Sequence, residues 1–137
     1  MEEGTYVPLY LRGIDQFNRG QYFASHESWE ELWIGQCGPA RQFYKGLIQA
    51  AVALLHFQNR NVHGARKLLA GSSGLLDAYR PKYLGLDVDQ FLAEMQRSLA
   101  PLAGPEPPAV PPPFDPALVP QIRLDPAPPS AAEASYP

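Results

Sequence analysis

Cysteine is almost absent from this sequence. The single thiol, Cys37, excludes an intrachain disulfide, and its place beside Gly38 and Pro39 carries no signature of a catalytic nucleophile. Long apolar runs are also missing, because the most apolar stretch, residues 47–57, is far shorter than the roughly 20 residues that cross a bilayer. The start, Met-Glu-Glu-Gly, lacks the basic residues and apolar run of a signal peptide. We therefore expect a cytoplasmic protein that makes no membrane contact.

Positive charge is sparse as well. The chain has 11 Lys and Arg against 14 Asp and Glu, a net charge of -3, and the basic residues are scattered along it. No basic patch of the kind that binds nucleic acid is visible, so no nucleic-acid partner is expected. A phosphate-binding loop is also lacking, since Gly71-Ser72-Ser73-Gly74 has no strand before it and no lysine after it.

Proline is rare in the first 100 residues and frequent afterwards. Only three of the 16 prolines precede residue 100, and the other 13 follow it. Because proline disfavours helix and removes a backbone donor, we predict a helical domain over 1–100 and an extended or disordered tail over 101–137. The tail carries more apolar side chains than a solvated segment needs: Phe114, Leu118, Val119, Ile122 and Leu124. A mobile tail and a tail that partly lies along the domain or a partner both stay open.

The first 100 residues have helical periodicity and no alternating strand pattern. They predict an all-α fold, a compact bundle of about five helices. The expected helices cover 8–19, 22–34, 39–58, a stretch from 61 onward and a stretch from 87 onward. Asn61 and Asp87 are expected to cap the last two helices, and residues 71–74 predict a kink or break in the fourth. The third helix is apolar nearly all round and should lie at the centre.

The second helix places two ionisable residues inside an aromatic face. With about 100° between successive residues, Glu30 lies about 40° from His26 around the helix. Four aromatic residues form the face around them: Tyr22, Phe23, Trp29 and Trp33. Aromatic faces pack into cores, and cores exclude unpaired charge. We therefore expect His26 and Glu30 to be paired, hydrogen-bonded or coordinating, and Ser28, on another side of the helix, to face solvent.

The third helix supplies candidate partners for this pair. Gln49 and His56 are seven residues apart and fall near one line along the helix, so a polar cluster with His26 and Glu30 between the second and third helices is geometrically possible. In one hypothesis this cluster is a structural polar network. In the other, His26, Glu30 and His56 bind a divalent metal of unknown identity, and Glu27 is the general base of a hydrolase.

Three segments form a recognisable pattern in the helical region. They are Phe17-Asn18-Arg19-Gly20-Gln21-Tyr22-Phe23-x-x-His26-Glu27-x-x-Glu30-x-x-Trp33, Gly46-Leu47-Ile48-Gln49-Ala50-Ala51 and Gly64-Ala65-x-x-Leu68-Leu69. This pattern resembles the domain of unknown function 309 (DUF309) family, and the resemblance spans roughly residues 14–95. It implies a compact all-α domain of about five helices and lends weight to a metal-dependent hydrolase, a label sometimes given to the family. The polar motif residues of the family correspond here to Asn18, His26, Glu27, Glu30 and Gln49.

The H-E-x-x-H zinc motif is matched only in part. The string His26-Glu27-Ser28-Trp29-Glu30 reads H-E-x-x-E, with glutamate in place of the second zinc-binding histidine. The sequence therefore contains the metal-binding pattern of a zinc protease without one of its decisive ligands.

The main alternative is not enzymatic. Gly20-x-Tyr22 between two amphipathic helices is also typical of tetratricopeptide hairpins, which bind peptides or partner proteins, although no 34-residue repeat is present. In this interpretation the chain is a helical interaction module with a protein partner or a second copy of itself, and His26, Glu30 and Gln49 brace its core.

Overall fold

The computed structural model describes residues 5–128, and helices dominate this part of the chain. The five α-helices are α1 (Pro8–Asn18), α2 (Tyr22–Ile34), α3 (Arg41–Gln58), α4 (Val62–Leu76) and α5 (Val88–Ser98). Strands β1 (Lys82–Tyr83) and β2 (Leu86–Asp87) form a short antiparallel hairpin between α4 and α5. The predicted all-α class with about five helices is confirmed. Within residues 5–128, no helix is both long and apolar enough to cross a membrane.

Local sequence signals set several helix ends. Pro8 begins α1, where its missing N–H would have no helical partner. The Asn61 side chain accepts a hydrogen bond of 2.9 Å from the backbone N–H of Gly64. The Asp87 side chain accepts a bond of the same length from the N–H of Gln90. Both predicted caps are therefore confirmed.

Helix α4 runs without interruption through residues 71–74, so the predicted kink or break is wrong. Packing against α3 explains the difference. The Ser72 hydroxyl donates a hydrogen bond of 2.7 Å to the Gly46 carbonyl, and the absence of a side chain at Gly71 leaves the space that Gln49 occupies. These contacts stabilise the helix by more than the weak helix propensity of Gly and Ser costs.

The core is centred on α3, and α1, α2, α4 and α5 all contribute buried side chains to it. Helix α3 lies between α2 and α4 and is buried on most of its surface, as its apolar sequence predicts. Helix α1 approaches α2 closely because the Trp29 ring lies directly against Gly13. The indole N–H of Trp29 donates to the Tyr10 carbonyl at 3.2 Å, and the Ser25 hydroxyl donates to the Gly13 carbonyl at 2.8 Å.

The described part of the proline-rich tail is irregular apart from two short 3-10 turns, Ala100–Leu102 and Pro116–Leu118, and it lies along the helices. Its buried side chains include Leu102, Val119, Ile122 and Leu124. Arg66 of α4 donates hydrogen bonds of 3.1 and 2.8 Å to the carbonyls of Leu102 and Gly104. Up to residue 128, the structure therefore supports the interpretation in which part of the tail lies along the domain. Residues 129–137 of the predicted tail lie outside the described residues, and the domain boundary at residue 100 stays a prediction.

Two glycines with opposite surroundings test the close approach of α1 to α2. In Gly13→Ala the new methyl group overlaps the Trp29 ring, so the free energy of unfolding should fall by about 1–3 kcal/mol, the usual cost of overpacking. In the matched control Gly74→Ala, no side chain among residues 5–128 lies within 4 Å of the new methyl, and stability should rise by roughly 0.5–1 kcal/mol. Urea unfolding followed by circular dichroism measures both. Wild-type stability in Gly13→Ala would contradict this packing.

Candidate functional site

The core face of α2 is centred on Ser25 rather than on His26. Its buried residues are Tyr22, Ser25, Ser28, Trp29 and Leu32. Ser28, predicted to face solvent, is buried and donates to the Gln16 side chain at 2.7 Å, whereas Phe23, predicted to be in the core, is 57% exposed. Both predictions are wrong for one reason. The hydroxyls of Ser25 and Ser28 have hydrogen-bond acceptors on α1, so these small polar residues can lie on the buried face of α2. With the serines on that face, His26 lies at the edge of the α1–α2 interface.

His26 and Glu30 form a pair at this edge, as their spacing predicts. The Nε2 atom of His26 lies 3.2 Å from the Oε2 atom of Glu30, and the side chains are 23% and 49% exposed. The other ring nitrogen, Nδ1, donates to the Phe23 carbonyl at 3.1 Å. The neighbouring Glu27, the predicted general base, is exposed. The pair is therefore reached by solvent and is not sealed in the core.

Gln49 and His56 of α3 both contact α4, and Gln49 also borders the space between α3 and α2. The Oε1 atom of Gln49 is buried against Gly71 and has no hydrogen-bond partner among residues 5–128. The Nδ1 atom of His56 accepts a bond of 3.2 Å from the Nδ2 atom of Asn61. The His56 ring also lies over Gly64, where a β-carbon would come within 2.9 Å of it. His56 thus supports the first turn of α4.

The structure brings together only part of the predicted cluster. A cleft of about 180 Å³ between α2 and α3 is lined by Glu30, Trp33, Lys45, Ile48 and Gln49. Two of the predicted metal ligands, His26 and Glu30, are in contact, but His56 is not beside them. Among residues 5–128, no three His, Cys, Asp or Glu side chains could share a metal ion. The three-ligand metal site therefore stays a prediction.

Asn18 holds the proline-rich tail. Its Nδ2 atom donates to the Ile122 carbonyl at 2.9 Å, and its Oδ1 atom accepts from the Ile122 N–H at 2.8 Å. The carboxamide thus satisfies both backbone groups of one tail residue, as a paired strand would. The Asn18 carbonyl also accepts from the Gln121 side chain at 3.2 Å. The family resemblance identifies Asn18 as a polar motif residue. The residues around it in the sequence do not indicate that its partner lies 104 positions further along the chain.

Further contacts to the tail backbone continue this docking. The Asp125 N–H donates to the Gly85 carbonyl at 2.9 Å, and the Tyr6 hydroxyl donates to the Pro126 carbonyl at 2.5 Å. Three apolar side chains of this stretch are buried: Val119, Ile122 and Leu124. The surface of α1, the β1–β2 turn and α5 that contacts residues 119–126 is called here the tail groove.

Aromatic packing anchors the tail at a second point. The Phe114 ring packs edge-to-face against Tyr22 of α2 and Phe57 of α3, with centroid separations of 6.1 and 5.3 Å. Such ring pairs contribute roughly 0.5–1.5 kcal/mol each beyond area burial. Burial raises the pKa of Tyr22 to about 12, so its hydroxyl stays neutral at physiological pH.

Known proteins share the helical part of this chain. A match to the family described as "Domain of unknown function (DUF309)" covers residues 10–68. The uncharacterized protein YpuF of Bacillus subtilis (strain 168) is 36% identical over an alignment of 95 residues, and the alignment covers 66% of this chain and 55% of that protein. The chain therefore spans about half the length of the relative that it matches. Together these matches confirm the resemblance seen in the sequence motifs, and the family match extends from α1 into α4.

Proposed function

We propose that this chain is a non-catalytic helical interaction module that binds an extended polypeptide segment in the tail groove. The observation that carries the proposal is the pair of hydrogen bonds between the Asn18 carboxamide and the backbone of Ile122. Because these bonds are made to backbone groups, they recognise the extended conformation of a segment and not its side chains. Asn18 is one of the polar residues of the family motif, and in this proposal its role is to bind the backbone of the segment.

The tail groove adds apolar contacts to these polar ones. Val119, Ile122 and Leu124 are buried in it, and fully burying a side chain of this size stabilises a complex by roughly 1.5–3 kcal/mol. Domains that recognise extended peptides combine backbone hydrogen bonds, which give affinity, with side-chain pockets, which give specificity. Both components are present along residues 119–126.

The polar motif residues of α2 and α3 fit this proposal as structural groups. Both ring nitrogens of His26 already have partners, the Phe23 carbonyl and the Glu30 carboxylate. A polar contact between side chains as exposed as these contributes only about 0–1 kcal/mol to stability. Gln49 fills the space beside Gly71 between α3 and α4. The contacts of His26 do not require a substrate, and the Gln49 side chain has a packing role although its buried Oε1 atom has no hydrogen-bond partner among residues 5–128.

Removing the Asn18 carboxamide should loosen the tail. In Asn18→Ala the N–H and C=O of Ile122 lose their partners, at a cost of about 1–3 kcal/mol. Hydrogen exchange at the Ile122 amide should therefore accelerate about 5- to 150-fold, measured by NMR. The control is Asn59→Ala, which removes an exposed asparagine at the end of α3 and should leave that rate unchanged. Full protection of Ile122 in Asn18→Ala would show that the carboxamide does not hold the tail.

Binding in trans tests the function itself. The substitution Ile122→Asp places a charge in an apolar groove, which should release the tail of the full chain. A labelled peptide of residues 115–128 should then bind with a Kd below about 1 mM, because a segment that docks in cis does so at an effective concentration in the millimolar range. The wild-type chain, whose groove is occupied, should bind the same peptide at least about ten-fold more weakly.

Two further variants make this binding test decisive. Adding Asn18→Ala to the Ile122→Asp chain should weaken peptide binding about ten-fold or more, because the backbone contacts are lost. Leu124→Asp provides a second chain with a released tail and an intact Asn18. Circular dichroism establishes that each variant keeps its helices. If neither helical variant binds the peptide, the proposed function is wrong.

A metal-dependent hydrolase is the second candidate, favoured by the orientation of His26. Its Nδ1 atom donates to a backbone carbonyl, the contact that usually orients a metal-binding histidine. Bonds of about 2.0–2.1 Å to a tetrahedral zinc separate two ligand atoms by about 3.3–3.4 Å, close to the 3.2 Å between Nε2 of His26 and Oε2 of Glu30. A catalytic zinc has three protein ligands. The described residues supply this pair alone, so they fit two ligand positions and not a complete site.

Metal content separates the two candidates. A non-catalytic module should contain less than stoichiometric zinc, iron and manganese, both in the wild-type chain and in His26→Ala, after incubation with each ion and gel filtration. Elemental mass spectrometry measures the content. His63→Ala, which removes an exposed histidine of α4, is the matched control. One metal per chain that is retained in His63→Ala and lost in His26→Ala would favour the hydrolase and contradict the non-catalytic module.

A further inference from the structure

The turn between β1 and β2 presents a carbonyl group to the tail. Its two central residues, Leu84 and Gly85, have positive φ angles of 45° and 80°, as in the two-residue turns that match the twist of a hairpin. A left-handed leucine is unfavourable on its own, but the buried Tyr10 hydroxyl donates to the Leu84 carbonyl at 3.0 Å and fixes the turn to α1. The Gly85 carbonyl accepts from the Asp125 N–H. The turn is therefore held by the core of the domain as well as by the tail.

Gly85 also allows the tail to lie close to the turn. A β-carbon at this position would collide with the Tyr6 hydroxyl and would come within 3.2 Å of the Leu124 side chain. Tyr6 in turn donates to the Pro126 carbonyl. The hydrogen bonds made by Gly85 and Tyr6 reach backbone groups of the tail, so they hold a segment of any sequence. Together they fix the position of residue 125 beside β1.

One contact at this end of the groove depends on the side chain of the bound segment. The Nζ atom of Lys82 lies 3.1 Å from the Oδ2 atom of Asp125. The neighbouring cation Arg80 is bound instead to Asp77 and Asp89. The side chains of Lys82 and Asp125 are 46% and 88% exposed, so water weakens their attraction and the pair adds little affinity. Complementary charges at an interface contribute to specificity more than to affinity.

We infer that Lys82 is a specificity-determining residue of the tail groove, which selects segments with an acidic residue directly after the last buried aliphatic residue. In the chain's own tail these two residues are Asp125 and Leu124. A basic residue in the place of Asp125 would be repelled by Lys82, so the groove rejects segments that its backbone contacts alone would hold. This inference rests on the proposed function and specifies the chemistry of the segment that the groove accepts.

Labelled peptides of residues 115–128 test the inference on the full chain carrying Ile122→Asp. Loss of an exposed attraction and gain of a repulsion each change affinity by up to about five-fold. The Asp125→Lys peptide should therefore bind about 3- to 25-fold more weakly than the unaltered peptide, as measured by fluorescence anisotropy at low ionic strength. When Lys82→Glu is added to the host, the order should invert, because the glutamate attracts the lysine of the altered peptide and repels Asp125 of the unaltered one.

A matched control separates this contact from a general effect of charge. Lys67→Glu, added to the Ile122→Asp host, reverses an exposed lysine of α4 and changes the net charge equally, so the unaltered peptide should stay preferred. Circular dichroism establishes that each host keeps its helices, and the Leu124→Asp chain provides a second host. If both hosts lose their helices, the peptides are ranked on the wild-type chain and its Lys82→Glu variant, as the peptide concentration that exposes the Ile122 amide to exchange.

The outcomes distinguish this inference from the proposed function. If the unaltered peptide binds and keeps its preference over Asp125→Lys in the Lys82→Glu host, Lys82 does not select this residue, and the interaction module stands. If the two peptides bind the Ile122→Asp host equally well, the inference is again wrong. If Lys67→Glu inverts the order as Lys82→Glu does, the net charge of the chain explains the preference and Lys82 has no specific role. If no peptide binds a helical host, the proposed function is wrong and the inference is wrong with it.

Discussion

Close approach of neighbouring helices is the constraint on which the rest of this structure depends. The glycines Gly13, Gly46, Gly64 and Gly71 each lie against a larger side chain, where a β-carbon would collide. At Gly46, for example, the β-carbon would come within 2.7 Å of Leu76. Because the helices can approach so closely, buried polar groups reach acceptors on the next helix, as Ser72 reaches the Gly46 carbonyl. The same packing fixes α1 beside α2, and with it the position of Asn18 at the end of α1.

The parts of the fold that the sequence predicts well are those that depend on nearby residues. Helix positions follow from periodicity over a few turns, and the caps at Asn61 and Asp87 depend on atoms three residues away. The orientation of α2 and the continuity of α4 depend on the neighbouring helix, and both were predicted wrongly. An aromatic face indicates a core, but Ser25 shows that a small hydroxyl residue occupies the core face when a carbonyl is within reach. The sequence of α2 alone does not contain that carbonyl.

The candidate site shows the same limit. The spacing of His26 and Glu30 predicts their contact, because the two lie on adjacent turns of one helix. The spacing of Gln49 and His56 places them on one line of α3 but does not say which neighbouring helix that line faces. The apolar side chains Val119, Ile122 and Leu124 indicate only in a general way that part of the tail packs against the domain or a partner. Their place beside Asn18 follows from the folded arrangement of all five helices.

The long separation of Asn18 from Ile122 has a consequence for the order of events during synthesis. A ribosome adds about 5–20 residues per second, so the 104 positions between them take roughly 5–20 s to translate. An isolated helix of 11 residues is marginal in water, but α2 to α4, the helices that pack beside α1 and α3, are synthesised by residue 76, well before residues 119–126. Throughout that interval the α1 side of the groove has no tethered competitor. Under the proposed function, a partner present at the ribosome would therefore meet an unoccupied groove, whereas a partner that arrives later would have to displace the docked tail.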